Sequence, residues 1–439
     1  MSGFAELLHT MGFTITGSDH IESEITDHLS KLGIKISYEQ IAANINPSID
    51  LVVYTAAIHE DNEEYIAAKE AGIPMMDRAQ MVGQVMKNYE CAIAVSGTHG
   101  KTTTTSMISH IMLAGNLDPT ISVGGILKSI DGNIRIGASK NFITEACEYT
   151  NSFLKFHPTI GVILNIEEEH LDFFKDLNDI RGSFHSFARL LPENGLLVIN
   201  GEIDSYKELA ADLSARFVSY GLEDDTYQYT AKNIQYNEFA QGSFDLYKDA
   251  AFIDRIVLKV IGRHNISNAL AAIAVGYELN IPIAQIKEGL STFAGTNRRF
   301  EYKGEIGGIT IIDDYAHHPT EIYATLSSAK AYPANRMWCV FQPHTYSRTR
   351  AFLKEFATSL ALADVIVLTD IYSAREQDPG DISSIHLKEE LEKLGKEVYY
   401  FPSFDEVENF LLENCTNGDL LITMGAGNIV TVGETLLGL

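Results

Sequence analysis

Seven consecutive residues, Ser96-Gly97-Thr98-His99-Gly100-Lys101-Thr102, have the makings of an anion cradle. Glycines let the backbone come close to phosphate oxygens, and the N–H groups of a loop that opens a helix point at the anion. Lys101 can bridge two phosphates, and the Thr102 hydroxyl can hold Mg²⁺. The usual phosphate loop reads G-x-x-x-x-G-K-[ST]. Here Val95 stands where the first glycine would be, and the spacing shortens to Gly97-x-x-Gly100-Lys101-Thr102. The apolar run before the loop, the lysine and the threonine together argue against a plain turn. The loop indicates a nucleotide phosphate without naming a reaction.

Five further groups could do chemistry. Glu145-Ala146-Cys147-Glu148 closes an apolar run; a carboxylate there either binds Mg²⁺ through hard oxygen or is a solvated strand-end acid. Asn165-Ile166-Glu167-Glu168-Glu169-His170-Leu171-Asp172 is either a solvated acidic face or places His170 on a second metal beside a γ-phosphate. Gly262-Arg263-His264-Asn265 opens an Ala-rich helix, where the His/Asn pair caps the helix or holds an adenine edge. Thr296-Asn297-Arg298-Arg299-Phe300 offers adjacent arginines, for a surface ion pair or for a transferring phosphoryl group. Asp313-Asp314-Tyr315-Ala316-His317-His318-Pro319 and Phe341-Gln342-Pro343-His344-Thr345-Tyr346-Ser347-Arg348 both follow apolar runs. Open α/β sheets bind ligands outside the carboxyl ends of their strands, although two histidines before a proline also suit a structural turn.

The elements that must position these residues read as α/β throughout, in three blocks. In residues 1–88, Phe13–Thr16, Ile34–Ile36 and Leu51–Tyr54 are expected strands, with helices over Ala5–Met11 and Glu63–Ala71 and a stop at Gly72-Ile73-Pro74. In residues 89–295, strands are expected at Cys91–Val95, Phe142–Thr144, Ile160–Leu164 and Leu196–Ile199, with helices from the loop to Ala114 and over His264–Tyr277. The aromatic, alternating stretch 226–260 reads as an antiparallel edge. In residues 296–439, strands are expected at Thr310–Ile312, Met337–Phe341, Val365–Leu368, Val398–Phe401 and Leu420–Thr423. The expected architecture is three α/β domains built on parallel sheets.

Composition narrows the partners. Hydrophobic residues make up 45% of 439, and 59 acidic against 33 basic residues give a net charge of −26. So acidic a surface repels nucleic acid and anionic lipid. It repels nucleotides as well, so a nucleotide site must concentrate its own positive charge. No apolar run approaches the roughly 18 residues of a membrane span. The amino terminus lacks the basic–apolar–small order of a signal peptide. Cys91, Cys147, Cys339 and Cys415 lack metal-ligand spacing and read as buried small hydrophobes in a reducing cytosol.

Six motifs in one order go beyond a generic nucleotide fold. They are Gly97-Thr98-His99-Gly100-Lys101-Thr102-Thr103-Thr104, Asn165-Ile166-Glu167-x-x-His170-x-Asp172, Gly262-Arg263-His264-Asn265, Arg298-Arg299-Phe300, Asp313-Asp314-Tyr315-Ala316-His317-His318-Pro319-Thr320-Glu321 and Met424-Gly425-Ala426-Gly427. The set resembles the Mur ligases of peptidoglycan synthesis over essentially the whole chain. The resemblance implies a Rossmann-like UDP-binding domain, a central P-loop ATPase-type domain and a Rossmann-like C-terminal domain. It implies a cytoplasmic enzyme, a monomer or homodimer, that uses ATP and Mg²⁺ to join L-alanine to UDP-N-acetylmuramate through an acyl phosphate. By the same resemblance Gly97, Thr98, His99, Gly100, Lys101, Thr102 and Thr103 hold ATP phosphates, and Thr102, Glu145 and His170 hold Mg²⁺. His264 and Asn265 face the adenine, Arg298 the phosphates, and Asp313 or Asp314 the ribose. His344 and Arg348 line the amino-acid pocket, and Ser18, Asp19 and Thr55 sit near the UDP.

One departure stands out. The family opens on a strand and a Gly-x-Gly-Gly-type turn, whereas this sequence opens on the helix at Met1-Ser2-Gly3. The expectation is either an upstream start of the reading frame or a truncated UDP site, with exposed strand edges. Two rival functions remain open: a sister ligase that attaches a murein tripeptide, and a nucleotide-binding regulator without ligase activity. A dehydrogenase fits poorly, because the intact glycine loop carries Lys-Thr.

Overall fold

The computed structural model describes all residues except 56, 172 and 375, so Asp172 of the acidic motif lies outside the described residues. The chain forms two compact units. The first comprises Met1–Thr105 and Asn116–Val218, the second Ser106–Gly115 and Ser219–Leu439. The helix Lys101–Ala114, which follows the phosphate loop, divides its residues between them.

The main sheet of the first unit runs in the order Leu196–Asn200, Ile160–Ile163, Cys91–Ser96, Asn141–Glu145, Thr120–Leu127, Gly132–Arg135. All neighbours are parallel except the last pair. Cys91–Ser96 is central, and five of its six residues are buried, as expected for a strand covered on both faces. Its register sets Val95 opposite Glu145 and Ser96 opposite Ile163. The three carboxyl ends are therefore flush, and the loops that follow them emerge side by side.

The amino-terminal part of this unit is thinly built. Thr16–Ser18 pairs with Lys35–Ser37, and Val52–Tyr54 pairs with Met75–Asp77, both in parallel. Among the described residues no further strand joins the two pairs. Phe13 (57% exposed), Ile21 (72%) and Ile25 (58%) lie open beside the few buried residues Phe4, Leu7, Leu29 and Ile34. The first strand begins three residues later than Phe13, because a three-residue element leaves too little periodicity to locate it. The sequence pattern also passes over the helix Arg78–Met86, which Asp77 and Gln80 close with reciprocal 2.9 Å hydrogen bonds.

In the second unit Arg216–Leu222 and Tyr229–Tyr236 are parallel, and Tyr229–Tyr236, Gln241–Lys248 and Ala251–Ile261 form the expected antiparallel ladder. A six-stranded sheet runs Glu301–Ile306, Ile309–Asp314, Leu420–Met424, Met337–Phe341, Val365–Leu368, Glu397–Tyr400. It is parallel apart from its first strand, an antiparallel edge that a purely parallel reading misses. Asp314 and Phe341 both register with Met424, so these carboxyl ends too are flush.

The later half of the loop helix is anchored within the second unit by the helix Ile283–Thr292. A Cβ on Gly289 would stand 2.6 Å from the Ile111 Cα, so the two backbones touch only because that position has no side chain. The His110 Nδ1 and the Thr292 hydroxyl are 3.0 Å apart, and burial depresses the His110 pKa to about 4, which keeps the ring neutral. Gly289→Ala is expected to cost about 1–3 kcal/mol through overpacking, read as a lower urea midpoint with an unchanged slope.

Candidate functional site

The flush carboxyl ends of the first unit's sheet bring three sequence motifs together. The Ser96 hydroxyl donates to the Val162 carbonyl at 2.7 Å. Gly97 then takes φ +143°, and a Cβ there would meet the Leu164 Cβ at 2.9 Å. No other residue combines that backbone with that approach at low cost. Asn165 accepts from the His99 N–H at 2.8 Å and donates to the His99 carbonyl at 3.0 Å. Thr98 accepts from the Glu167 N–H at 3.0 Å, and the His99 Nε2 stands 3.5 Å from a Glu167 carboxylate oxygen. The acidic motif is thus the clamp that shapes the phosphate loop, a role sequence spacing could not reveal.

Lys101 lies at the mouth of the loop. Its ammonium donates to the Gly97 carbonyl at 2.5 Å and the Thr98 carbonyl at 3.0 Å, and pairs with Glu148 at 3.0 Å. Burial alone would lower its pKa, but Glu148 outweighs burial and holds it above the ordinary lysine value. Glu148 is 2% exposed, and its other oxygen is 3.8 Å from the His170 Nε2. His170 sits at φ +54° and stacks on Tyr149 with ring centres 4.4 Å apart. Glu145, the carboxylate expected at the metal, instead accepts the Gly124 N–H. Glu148, three residues on, makes the contacts with Lys101 and His170. Both acids stood in the motif, and only the turn between them tells them apart. Cys147 is exposed beside them, against the expectation that all four cysteines are buried; Cys339 alone is fully so.

At the amino-terminal strands, the Ser18 hydroxyl donates to Glu64 at 2.6 Å. Asp19 accepts the His20 N–H at 2.7 Å, and Thr55 accepts the Ala57 N–H at 3.1 Å. Ser18 ends a strand of one pair, and Thr55 follows a strand of the other.

The second unit has its own cluster. Arg298 sits at φ +62° and donates to Asp313 at 2.9 Å, the Gly427 carbonyl at 2.9 Å and the Gly425 carbonyl at 2.7 Å. These bonds fasten the glycine turn after Leu420–Met424. Asp313 is fully buried, with a pKa raised by burial and partly restored by Arg298. Asp314, 5% exposed, accepts the Phe300 and Ala316 N–H groups at 2.7 and 2.8 Å. Both aspartates, the residues expected near a ribose, are buried.

The neighbouring Arg299 packs over the Tyr315 ring at 5.2 Å and pairs with Glu321 at 3.5 Å, the ion pair that is one of the two readings of the adjacent arginines. His264 is exposed at the start of its helix, where crowding and then the nearby Arg299 cation lower its pKa. Asn265 donates back to the Ile261 carbonyl at 2.8 Å, as a capping residue does. His317 Nδ1 donates to the Tyr315 carbonyl at 2.9 Å, and the ring meets that of His344 at 5.7 Å. The His344 Nδ1 is 3.0 Å from Arg348, and the ring stacks on Tyr372 at 5.6 Å. His344 and Arg348 are thus brought together as expected, with Tyr372 and His317 added. The cluster presents cations and imidazoles outside the strand ends, which suits anionic and aromatic ligand groups.

Three family models cover most of the chain: "Mur ligase family, catalytic domain" over residues 1–90, "Mur ligase middle domain" over 95–276, and "Mur ligase, glutamate ligase domain" over 298–427. A UDP-N-acetylmuramate–L-alanine ligase of Lachnoclostridium phytofermentans is 59% identical over 446 residues, covering 100% of this chain and 95% of the relative. The enzyme of the same name from Clostridium botulinum (strain Langeland) is 51% identical with the same coverage. The crystal structure of UDP-N-acetylmuramate–alanine ligase from Thermotoga maritima superposes with a TM-score of 0.84 at 30% identity, covering 100% of this chain and 96% of that one. A murein peptide ligase of Psychrobacter arcticus shares the fold at a TM-score of 0.72 and 24% identity.

Asp314 yields a pH prediction. Its folded pKa of about 6 lies above the unfolded value of about 3.9, so between these the folded state holds the extra proton. Its contribution is present below pH ~3.9 and is lost as the pH rises through ~6. Asp314→Asn should therefore gain stability relative to wild type, by up to about 3 kcal/mol, between those pH values, and the difference should be flat above them. Urea unfolding at stepped pH measures this; a difference independent of pH would refute it.

Proposed function

Since the chain belongs to the Mur ligase family, we propose that it joins L-alanine to the carboxylate of UDP-N-acetylmuramate while ATP becomes ADP and phosphate. The observation that carries this is the full-length match to enzymes of that name at up to 59% identity, on a chain whose phosphate loop is shaped and charged for a nucleotide. The muramic carboxylate attacks the γ-phosphorus and forms an acyl phosphate. The alanine amine attacks the activated carbonyl, phosphate leaves, and the amide remains. Both steps gather negative charge, so catalysis is chiefly positioning and neutralisation.

The loop N–H groups and Lys101 hold the β- and γ-phosphates. The donor set fits Mg²⁺, because the Thr102 hydroxyl lies in the loop while the buried Glu148 carboxylate and the His170 imidazole approach one another at 3.8 Å. Mg²⁺ bound there supplies positive charge to the phosphate oxygens. Glu148 takes the part expected of Glu145, which supports it from the neighbouring strand end. Arg299 is the arginine for phosphate, and Arg298 keeps the linker and the glycine turn in place. His264 serves the adenine side. Arg348, oriented by His344, receives the amino-acid carboxylate. Ser18, Asp19 and Thr55 serve the uridine side. The substrates place the enzyme in the cytoplasm.

Purified protein should release ADP only when UDP-N-acetylmuramate and L-alanine are both present. Lys101→Met should lower kcat/KM by about 10²–10³. Release with the murein tripeptide in place of alanine would assign the sister activity, and no release with either would exclude a ligase.

A further inference from the structure

Lys101 is spoken for before any nucleotide arrives. Its ammonium is shared between two loop carbonyls and Glu148, at 2.5, 3.0 and 3.0 Å. Glu148 is 2% exposed, and its other oxygen lies 3.8 Å from the His170 Nε2. A polyphosphate that draws the ammonium away leaves this carboxylate buried, short of its partner and next to new negative charge. A buried charge that loses its partner is costly, and like charges at short range add to the penalty. A divalent cation that enters with the nucleotide removes both costs, because it accepts the carboxylate and neutralises the phosphates.

We infer that Glu148 is the residue that couples nucleotide binding to metal binding, by holding Lys101 until a divalent cation replaces it. The inference rests on the nucleotide-site reading above and goes beyond it. A carboxylate that served only as a ligand would add affinity with metal present; Glu148 in addition opposes the nucleotide when metal is absent. In this chain discrimination against metal-free ATP is built into the Lys101–Glu148 pair.

The test is direct ATP binding to the full-length protein by calorimetry, in EDTA and in excess Mg²⁺, for wild type, Glu148→Gln and Glu148→Ala. Circular dichroism and urea unfolding establish that each variant is folded. In EDTA both variants should bind ATP roughly tenfold or more tightly than wild type, because the opposing charge is gone. The gain from Mg²⁺ should shrink correspondingly in both. Adenosine, which lacks phosphates, should bind all three proteins alike in either buffer. Variants that bind metal-free ATP no better than wild type would overturn the coupling while leaving the nucleotide site standing. Failure of wild type to bind ATP in either buffer would overturn the underlying site reading instead.

Discussion

A chain with a net charge of −26 that binds polyanions must confine its cations. That constraint organises each site cluster. Lys101 is paired with the buried Glu148, and Arg299 with Glu321. Arg298 is absorbed by Asp313 and two carbonyls of the glycine turn. Without partners these groups would scatter into solvent, where salt would screen them and the acidic surface would prevail. Paired with carboxylates, they stay fixed at the strand ends.

Sheet register performs the confinement. Val95 opposite Glu145 and Ser96 opposite Ile163 align three carboxyl ends, and Asp314 and Phe341 opposite Met424 align another set. A slip of one residue would reverse the face of every side chain on the slipped strand and dislocate the loop beyond it. The fully buried apolar runs in these strands make such a slip expensive. The cores under the two units' sheets are thus tied to function: they set where Asn165 meets His99 and where Glu148 meets Lys101.

The amino-terminal segment shows what happens where that support is slight. Its strands are three residues long and paired two by two, and large apolar side chains such as Ile21 lie open. Ser18, Asp19 and Thr55 are held by local turns and by Glu64, without a covering sheet.

The phosphate loop, the strands Met337–Phe341 and Val365–Leu368, and the antiparallel ladder were legible in the sequence, because buried runs, alternation and a Gly/Lys/Thr pattern are local properties. The motif set determined the family for a similar reason, since residues that must meet phosphate leave a spacing that reads in one dimension. The strands of residues 1–88 were displaced because three residues carry almost no period. Which member of a close pair faces the site was beyond local reading. Glu148 rather than Glu145 meets Lys101, and Arg298 rather than Arg299 is drawn onto Asp313 and the glycine turn. The first choice follows from the turn after Asn141–Glu145, and the second from the positive φ of Arg298, which turns its side chain back onto Asp313. Side-chain direction there is set by backbone dihedrals and by partners over a hundred residues away, such as Gly427. Tertiary structure alone decides such contacts.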